Sequence, residues 1–168
     1  MDTVTLCRLV CSDKVLKKQF GGVFPSDALP KRNKYFNAFI VNLDSKMLPG
    51  SHWISIYFKK NTVHYFDSYG LPPRNRHILN FMKRNSDIIK YNNHCFQDDF
   101  TTTCGFFCIY FLHQCARGKS LNDLHIKNKK YNELFIKKFI NKNFYLSKCC
   151  HVSPTKNQSC LALINMMF

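Results

Sequence analysis

Residues 104–117 read CGFFCIYFLHQCAR, and a polar run, Gln97-Asp98-Asp99-Phe100-Thr101-Thr102-Thr103, leads into them. Apolar side chains fall on nearly every face of this stretch, the mark of a helix buried all round. Gly118 stands where such a helix would terminate. A helix of this kind must be covered, and the chain before it supplies strands. Phe36–Leu43 (FNAFIVNL), His52–Phe58 (HWISIYF) and Thr62–Phe66 (TVHYF) are rich in β-branched and aromatic residues. Lys59-Lys60-Asn61 splits the last two, and the run from Asp67 through Gly70 to Pro73 closes the hairpin. Residues 2–19 read as a short, poorly patterned helix, and Gly21 through Pro30 as turns. Arg74–Tyr91 reads as a helix on Ile78, Phe81, Met82 and Ile89, and Asn128–Asn141 as an amphipathic one. In the latter, Tyr131, Leu134, Phe135 and Phe139 share a face. The tail from Leu146 has no clear pattern. Central strands flanked by helices predict an α+β fold in one domain spanning residues 1–168. Its mixed or antiparallel β-sheet packs on the buried helix.

The 168 residues are 45% hydrophobic and 15% aromatic, which excludes intrinsic disorder. The net charge of +15, with Glu133 the only glutamate, exceeds what solubility requires. The excess is shared by both halves of the chain and calls for an acidic partner: nucleic acid, a membrane surface or an acidic protein. The longest apolar run, Cys104 to Leu112, is too short to span a bilayer, and no signal-peptide core opens the chain. The expectation is an intracellular protein, or one carried inside a particle, without a membrane partner. There are nine cysteines, an odd number, so at least one lacks an intramolecular mate.

Cys104 is the first candidate for chemistry. A thiol opening a helix sits near the positive end of the macrodipole, which favours the nucleophilic thiolate. The N–H groups there could stabilise an oxyanion, and Gly105 permits close backbone approach. The plainer alternative is a buried structural thiol. His52 begins a strand after Pro49-Gly50-Ser51, and Asp67 ends the next one, 15 residues on. Antiparallel pairing sets those two ends side by side, so a base and its orienter can meet. Taken singly, His52 reads equally as a surface histidine and Asp67 as a turn cap. Cys108 and Cys115 are explained by packing. Cys149-Cys150-His151 with Cys160 has the composition of metal ligands but no CxxC pair, and no metal site is expected.

Four ordered motifs resemble the adenovirus-type cysteine endopeptidases (adenain), including relatives in virus-like DNA transposons. Gly50-Ser51-His52-Trp53 resembles the family's Gly-x-His-Trp element, with Ile40-Val41-Asn42 upstream of it as in the family. Tyr65-Phe66-Asp67-Ser68-Tyr69-Gly70 resembles its Tyr-Leu-Phe-acid-Pro-Phe-Gly turn. Gln97 followed by Cys104-Gly105-Phe106-Phe107-Cys108 and Phe111-Leu112-His113 resembles its Gln and Ala-Cys-Gly-Leu-Phe-Cys block. The similarity runs from about Phe20 to Gly118 and more weakly to Tyr145.

The resemblance implies a papain-like arrangement with His52 as base, Asp67 as its orienter and Cys104 as nucleophile. Gln97 and the Cys104 N–H would serve as oxyanion donors, and Trp53 would stack near His52 or pack in the core. It implies a monomeric cysteine endopeptidase that cleaves viral capsid and core precursors at Gly-containing sites during virion maturation, in the virion and host nucleus. Double-stranded DNA would be bound without sequence preference and would stimulate cleavage. Lys127, Lys129, Lys130, Lys137 and Lys138 are the candidate phosphate contacts, with a solvated helix face as the plainer reading. No small-molecule cofactor is implied, but an activating peptide is, and Cys95 is the nearest candidate to pair with it. Asp67 stands where the family often has Glu. The rival enzyme is a protease for SUMO or another ubiquitin-like protein. Those proteases usually have six residues from Gln to Cys and an Asp before the Cys, against seven and Thr103 here. A non-enzymatic DNA-binding relative is the third reading.

Overall fold

The computed structural model describes residues 1–124 and 127–146. Cys149, Cys150, His151 and Cys160 lie outside the described residues. Among the described residues, five strands form one sheet in the order β1-β2-β3-β4-β5: Phe20–Pro25, Ala38–Asn42, Trp53–Lys59, Thr62–Phe66 and Ile88–Tyr91. The three central strands are antiparallel, whereas β1 on β2 and β4 on β5 run parallel, so the sheet is mixed. Among the described residues, four α-helices accompany it: α1 Thr3–Ser12, α2 Arg76–Lys83, α3 Cys104–Ala116 and α4 Lys129–Asn143.

Strand alternation divides the core in two. Ala38, Ile40, Tyr57 and Phe66 face one way, toward α1, α3 and α4. Phe39, Val41, Ile54, Ile56, Phe58, Val63 and Tyr65 face the other way, onto Ile78, Phe81 and Met82 of α2. The α3 helix is the hub of the first layer. Phe107, Cys108, Ile109, Phe111 and Leu112 are fully or almost fully buried, and Phe111 stacks on Phe66 with ring centroids 4.9 Å apart. Burying such side chains contributes roughly 1.5–3 kcal/mol each, which fixes α3 against the sheet and with it the position of Cys104.

The architecture is the expected α+β one, with local differences. The Gly21–Pro30 stretch reads as turns, but its first part is β1, and Gly21 lies against the Phe39 ring where a side chain would not fit. The helix expected over 74–91 runs only from Arg76 to Lys83. Asn75 caps its start, and the Asn85 side chain donates to the Phe81 carbonyl at its end. Ile88-Ile89-Lys90-Tyr91 then forms the edge strand β5, where β-branched residues suit a strand. On α4 the buried side chains are Asn132, Glu133, Ile136 and Ile140. Phe135 and Phe139 are half-buried, while Tyr131 and Leu134, expected on the same face, are exposed. Among the described residues, no helix is long and apolar enough to cross a membrane.

Candidate active site

His52, Asp67 and Cys104 come together at one end of the sheet. His52 immediately precedes β3 and Asp67 immediately follows β4, so antiparallel pairing sets them side by side. The distance from His52 Nε2 to Asp67 Oδ1 is 2.8 Å, and Asp67 is only 1% exposed. Asn92, just after β5, grips the Asp67 backbone on both sides. Its Oδ1 accepts the Asp67 N–H (2.9 Å) and its Nδ2 donates to the Asp67 carbonyl (2.6 Å). Gly70 makes the turn possible: its φ of +72° suits glycine, and a Cβ there would lie 2.7 Å from the His94 backbone.

Cys104 is the first residue of α3, and its thiol interacts with the His52 imidazole. Since Nε2 serves Asp67, Nδ1 is the ring nitrogen left for the sulfur. Burial opposes the charge on both groups, and their partners outweigh it. The imidazole's interactions with the Asp67 carboxylate, which accepts from Nε2, and with Cys104, with the charges behind them, raise the His52 pKa to about 9. His52, together with the Trp53 and Gly105 N–H groups, holds the Cys104 thiol below its ordinary value. The pair therefore favours thiolate beside imidazolium. Cys108 and Cys115 go the other way: burial raises both thiols, that of Cys115 to about 12.

Gln97 is 1% exposed and bridges two parts of the site. Its Oε1 accepts the Ser68 hydroxyl (2.7 Å), and its Nε2 donates to the Thr101 carbonyl (2.8 Å). One amide hydrogen is thus engaged within the loop. The stacking partner of His52 is Tyr69, at 4.8 Å between centroids, rather than Trp53. Trp53 packs on the core layer beneath α3 and donates its indole N–H to the Met1 carbonyl (3.0 Å). Gly105 serves helix packing, since a Cβ there would lie 2.9 Å from Leu6 of α1.

Of the remaining sequence candidates, Cys95 adjoins Gln97 and the lysines lie on or beside α4. Cys95 is half-buried, free of disulfides, and donates to the Gln97 carbonyl at 3.4 Å. Lys127 lies over the Tyr131 ring (4.2 Å), and Lys129 pairs with Asp99 (3.0 Å). Lys130, Lys137 and Lys138 are exposed on α4. Lys138 and Lys142 border a groove of about 430 Å³ with Tyr131, Leu134, Phe135 and Phe139. Among the described residues, no group of three or more His, Cys, Asp or Glu side chains is placed to hold a metal.

Sequence reading missed Ser68, Tyr69, Asn92, Thr101, Thr103 and Glu133 as parts of the site. Glu133 carried a signal in being the only glutamate. The others are ordinary polar residues whose roles depend on tertiary contacts.

No family model matches the chain. A protein of Acanthamoeba polyphaga mimivirus described as a thiol protease is 28% identical over 120 residues, covering 64% of this chain and 39% of its own length. The chain thus spans about two fifths of the curated relative it matches. Among solved structures, the ASFV protease has a TM-score of 0.49 at 19% identity, over 68% of this chain and 46% of its own. ChlaDub1 from Chlamydia trachomatis has a TM-score of 0.46 at 17% identity, over 65% of this chain and 61% of its own. The sequence similarity is therefore to a thiol protease, over part of each chain.

Proposed function

We propose that the chain is a cysteine endopeptidase. The observation that carries this reading is the meeting of Cys104, at the start of a buried helix, with a His52 whose Nε2 lies 2.8 Å from Asp67 Oδ1, an arrangement that favours thiolate beside imidazolium. The Cys104 sulfur attacks a peptide carbonyl carbon, forming a C–S bond and a tetrahedral oxyanion. The Cys104 N–H and the Gln97 amide donate to that oxyanion. His52 passes its Nδ1 proton to the departing amine as the C–N bond breaks, leaving a thioester. Water then gives a proton to His52 and attacks the thioester, releasing the acid and the thiolate. Asp67 holds the imidazole and stabilises its charged form.

The substrates are viral capsid and core precursors cut after glycine during virion maturation, with DNA as activator and the virion and host nucleus as setting. The family resemblance and the +15 charge support this. Exposed apolar residues on the segments that carry the site residues suit an extended peptide. Phe100, 98% exposed, stands between Gln97 and Cys104, while Met47, Leu48 and Leu71 lie on the segments entering His52 and leaving Asp67. One contact favours this reading over the ubiquitin-like protease. The Thr103 hydroxyl donates to both Glu133 carboxylate oxygens at 2.9 Å, whereas an Asp at 103 would oppose two carboxylates. The chain's own Gly21-Gly22 is buried in β1 and should stay uncut.

Peptide-library profiling tests the reading: cuts should follow glycine. A preference for large residues before the cut would overturn the assigned specificity. Activity confined to ubiquitin-like precursors would favour the rival enzyme.

A further inference from the structure

We infer that Glu133 of α4 is a positioning residue for this site. Its carboxylate sets the 98–103 segment, which has Gln97 at one end and the Cys104 N–H at the other. The inference rests on the cysteine-peptidase reading above. Glu133 is 7% exposed, and its carboxylate receives three donors of that one segment. Oε1 accepts the Asp98 N–H (3.1 Å) and the Thr101 hydroxyl (2.8 Å), and both oxygens accept from the Thr103 hydroxyl (2.9 Å each). A carboxylate only accepts, so it orients the Asp98 N–H and the Thr103 hydroxyl, and it shares the Thr101 hydroxyl with the Asp98 carbonyl at 2.9 Å.

Both oxyanion donors depend on this arrangement. Thr101 gives its hydroxyl to Glu133 and its carbonyl to Gln97 Nε2. Glu133 therefore reaches the Gln97 amide through one residue, while Ser68 holds the other end of that amide. Thr103 occupies the N-cap of α3, where a threonine oxygen ordinarily accepts from the first-turn N–H groups. Here it makes no side-chain cap bond, and its hydroxyl donates to Glu133. Outside, the Lys129–Asp99 pair at 3.0 Å ties the same segment to the same helix. Sequence comparison of catalytic motifs would pass over Glu133, which lies 29 residues beyond Cys104.

The test compares Glu133→Gln, Glu133→Ala and Thr103→Val with the unaltered chain, by peptide hydrolysis and by iodoacetamide alkylation of Cys104. Alkylation needs the thiolate but no oxyanion donors, so it separates positioning from general damage. Misplacing a reacting group by about 1 Å can cost on the order of 10²-fold. We expect kcat to fall by about 10-fold to 10²-fold in Glu133→Ala and Thr103→Val, with KM and alkylation rate nearly unchanged. Glu133→Gln retains one acceptor oxygen and should recover part of the loss. If Glu133→Ala does not fold, Thr103→Val and Glu133→Gln carry the same test. Unchanged kcat in those folded variants would overturn the inference, as would alkylation falling in step with kcat. Failure of the unaltered chain to cut any peptide would instead overturn the peptidase reading.

Discussion

His52 Nε2 lies 2.8 Å from Asp67 Oδ1, and the same carboxylate oxygen accepts the Tyr69 N–H at 2.8 Å. One oxygen thus orients the imidazole and closes the turn that brings Tyr69 over its face. Asp67→Asn keeps the shape but can present an N–H where the imidazole needs an acceptor. Hydrolysis should fall by roughly 10²–10⁴-fold, less than in Cys104→Ala, because Asp67 forms no covalent bond. Steady-state kinetics on the two variants checks the order. Since Asn92 grips the backbone at this position, the melting temperature should change little.

The His52–Cys104 pair also sets a pH dependence. The folded His52 pKa, about 9, lies above its ordinary value of 6.5. Its contribution to stability is therefore full below pH 6.5 and is lost as pH rises through about 9. The alkaline limb of kcat/KM should fall in that range, as the imidazolium that protonates the leaving amine disappears. The apparent values belong to the coupled pair. Cys104→Ala removes one of the causes raising the histidine, so an NMR titration of His52 in that variant should show a lower midpoint. An unchanged midpoint would uncouple the two residues.

Gln97→Ala should cost roughly 10²–10³-fold in kcat, the usual loss for one oxyanion donor. It also leaves the Ser68 hydroxyl and the Thr101 carbonyl without their partner, so stability should drop by about 1–3 kcal/mol. Parallel kinetics and thermal melts separate the two effects. Wild-type kcat in a destabilised variant would remove Gln97 from the chemistry.

If DNA binds through the five lysines from Lys127 to Lys138, log affinity should fall with log salt at a slope near −4 to −5. The contributions should be unequal. Lys129 is paired with Asp99 and Lys127 lies over Tyr131, whereas Lys130, Lys137 and Lys138 are exposed. Lys138→Gln should flatten the slope more than Lys129→Gln. Changing all five should remove any stimulation of cleavage and leave DNA-free cleavage intact. Salt titrations of duplex binding measure this.

The sequence was most legible where a local pattern and a tertiary role coincide. The apolar run after Cys104 reads as a buried helix, and the strands around Lys59-Lys60-Asn61 read as a hairpin. Together they bring His52, Asp67 and Cys104 to one place. β1 was hidden because its Gly21-Gly22 reads as a turn until Phe39 fills the space beside it. β5 was hidden because Ile89 fits the helical spacing of the residues before it. Thr101, Thr103 and Glu133 were illegible for another reason. Their partnership joins the polar run before α3 to a helix some 30 residues later, and no local period reports such a contact.

The central claim is that Cys104 is the thiolate nucleophile, and competitive alkylation tests it most directly. Limiting iodoacetamide at about neutral pH, followed by peptide mapping, ranks the nine cysteines by reactivity. Cys104 should be modified first, with loss of hydrolysis in proportion, while Cys108 and Cys115 stay unmodified in the folded protein. Cys104→Ala should melt as the unaltered chain does and cut nothing. Earlier labelling of another cysteine, together with an active Cys104→Ala variant, would contradict the account.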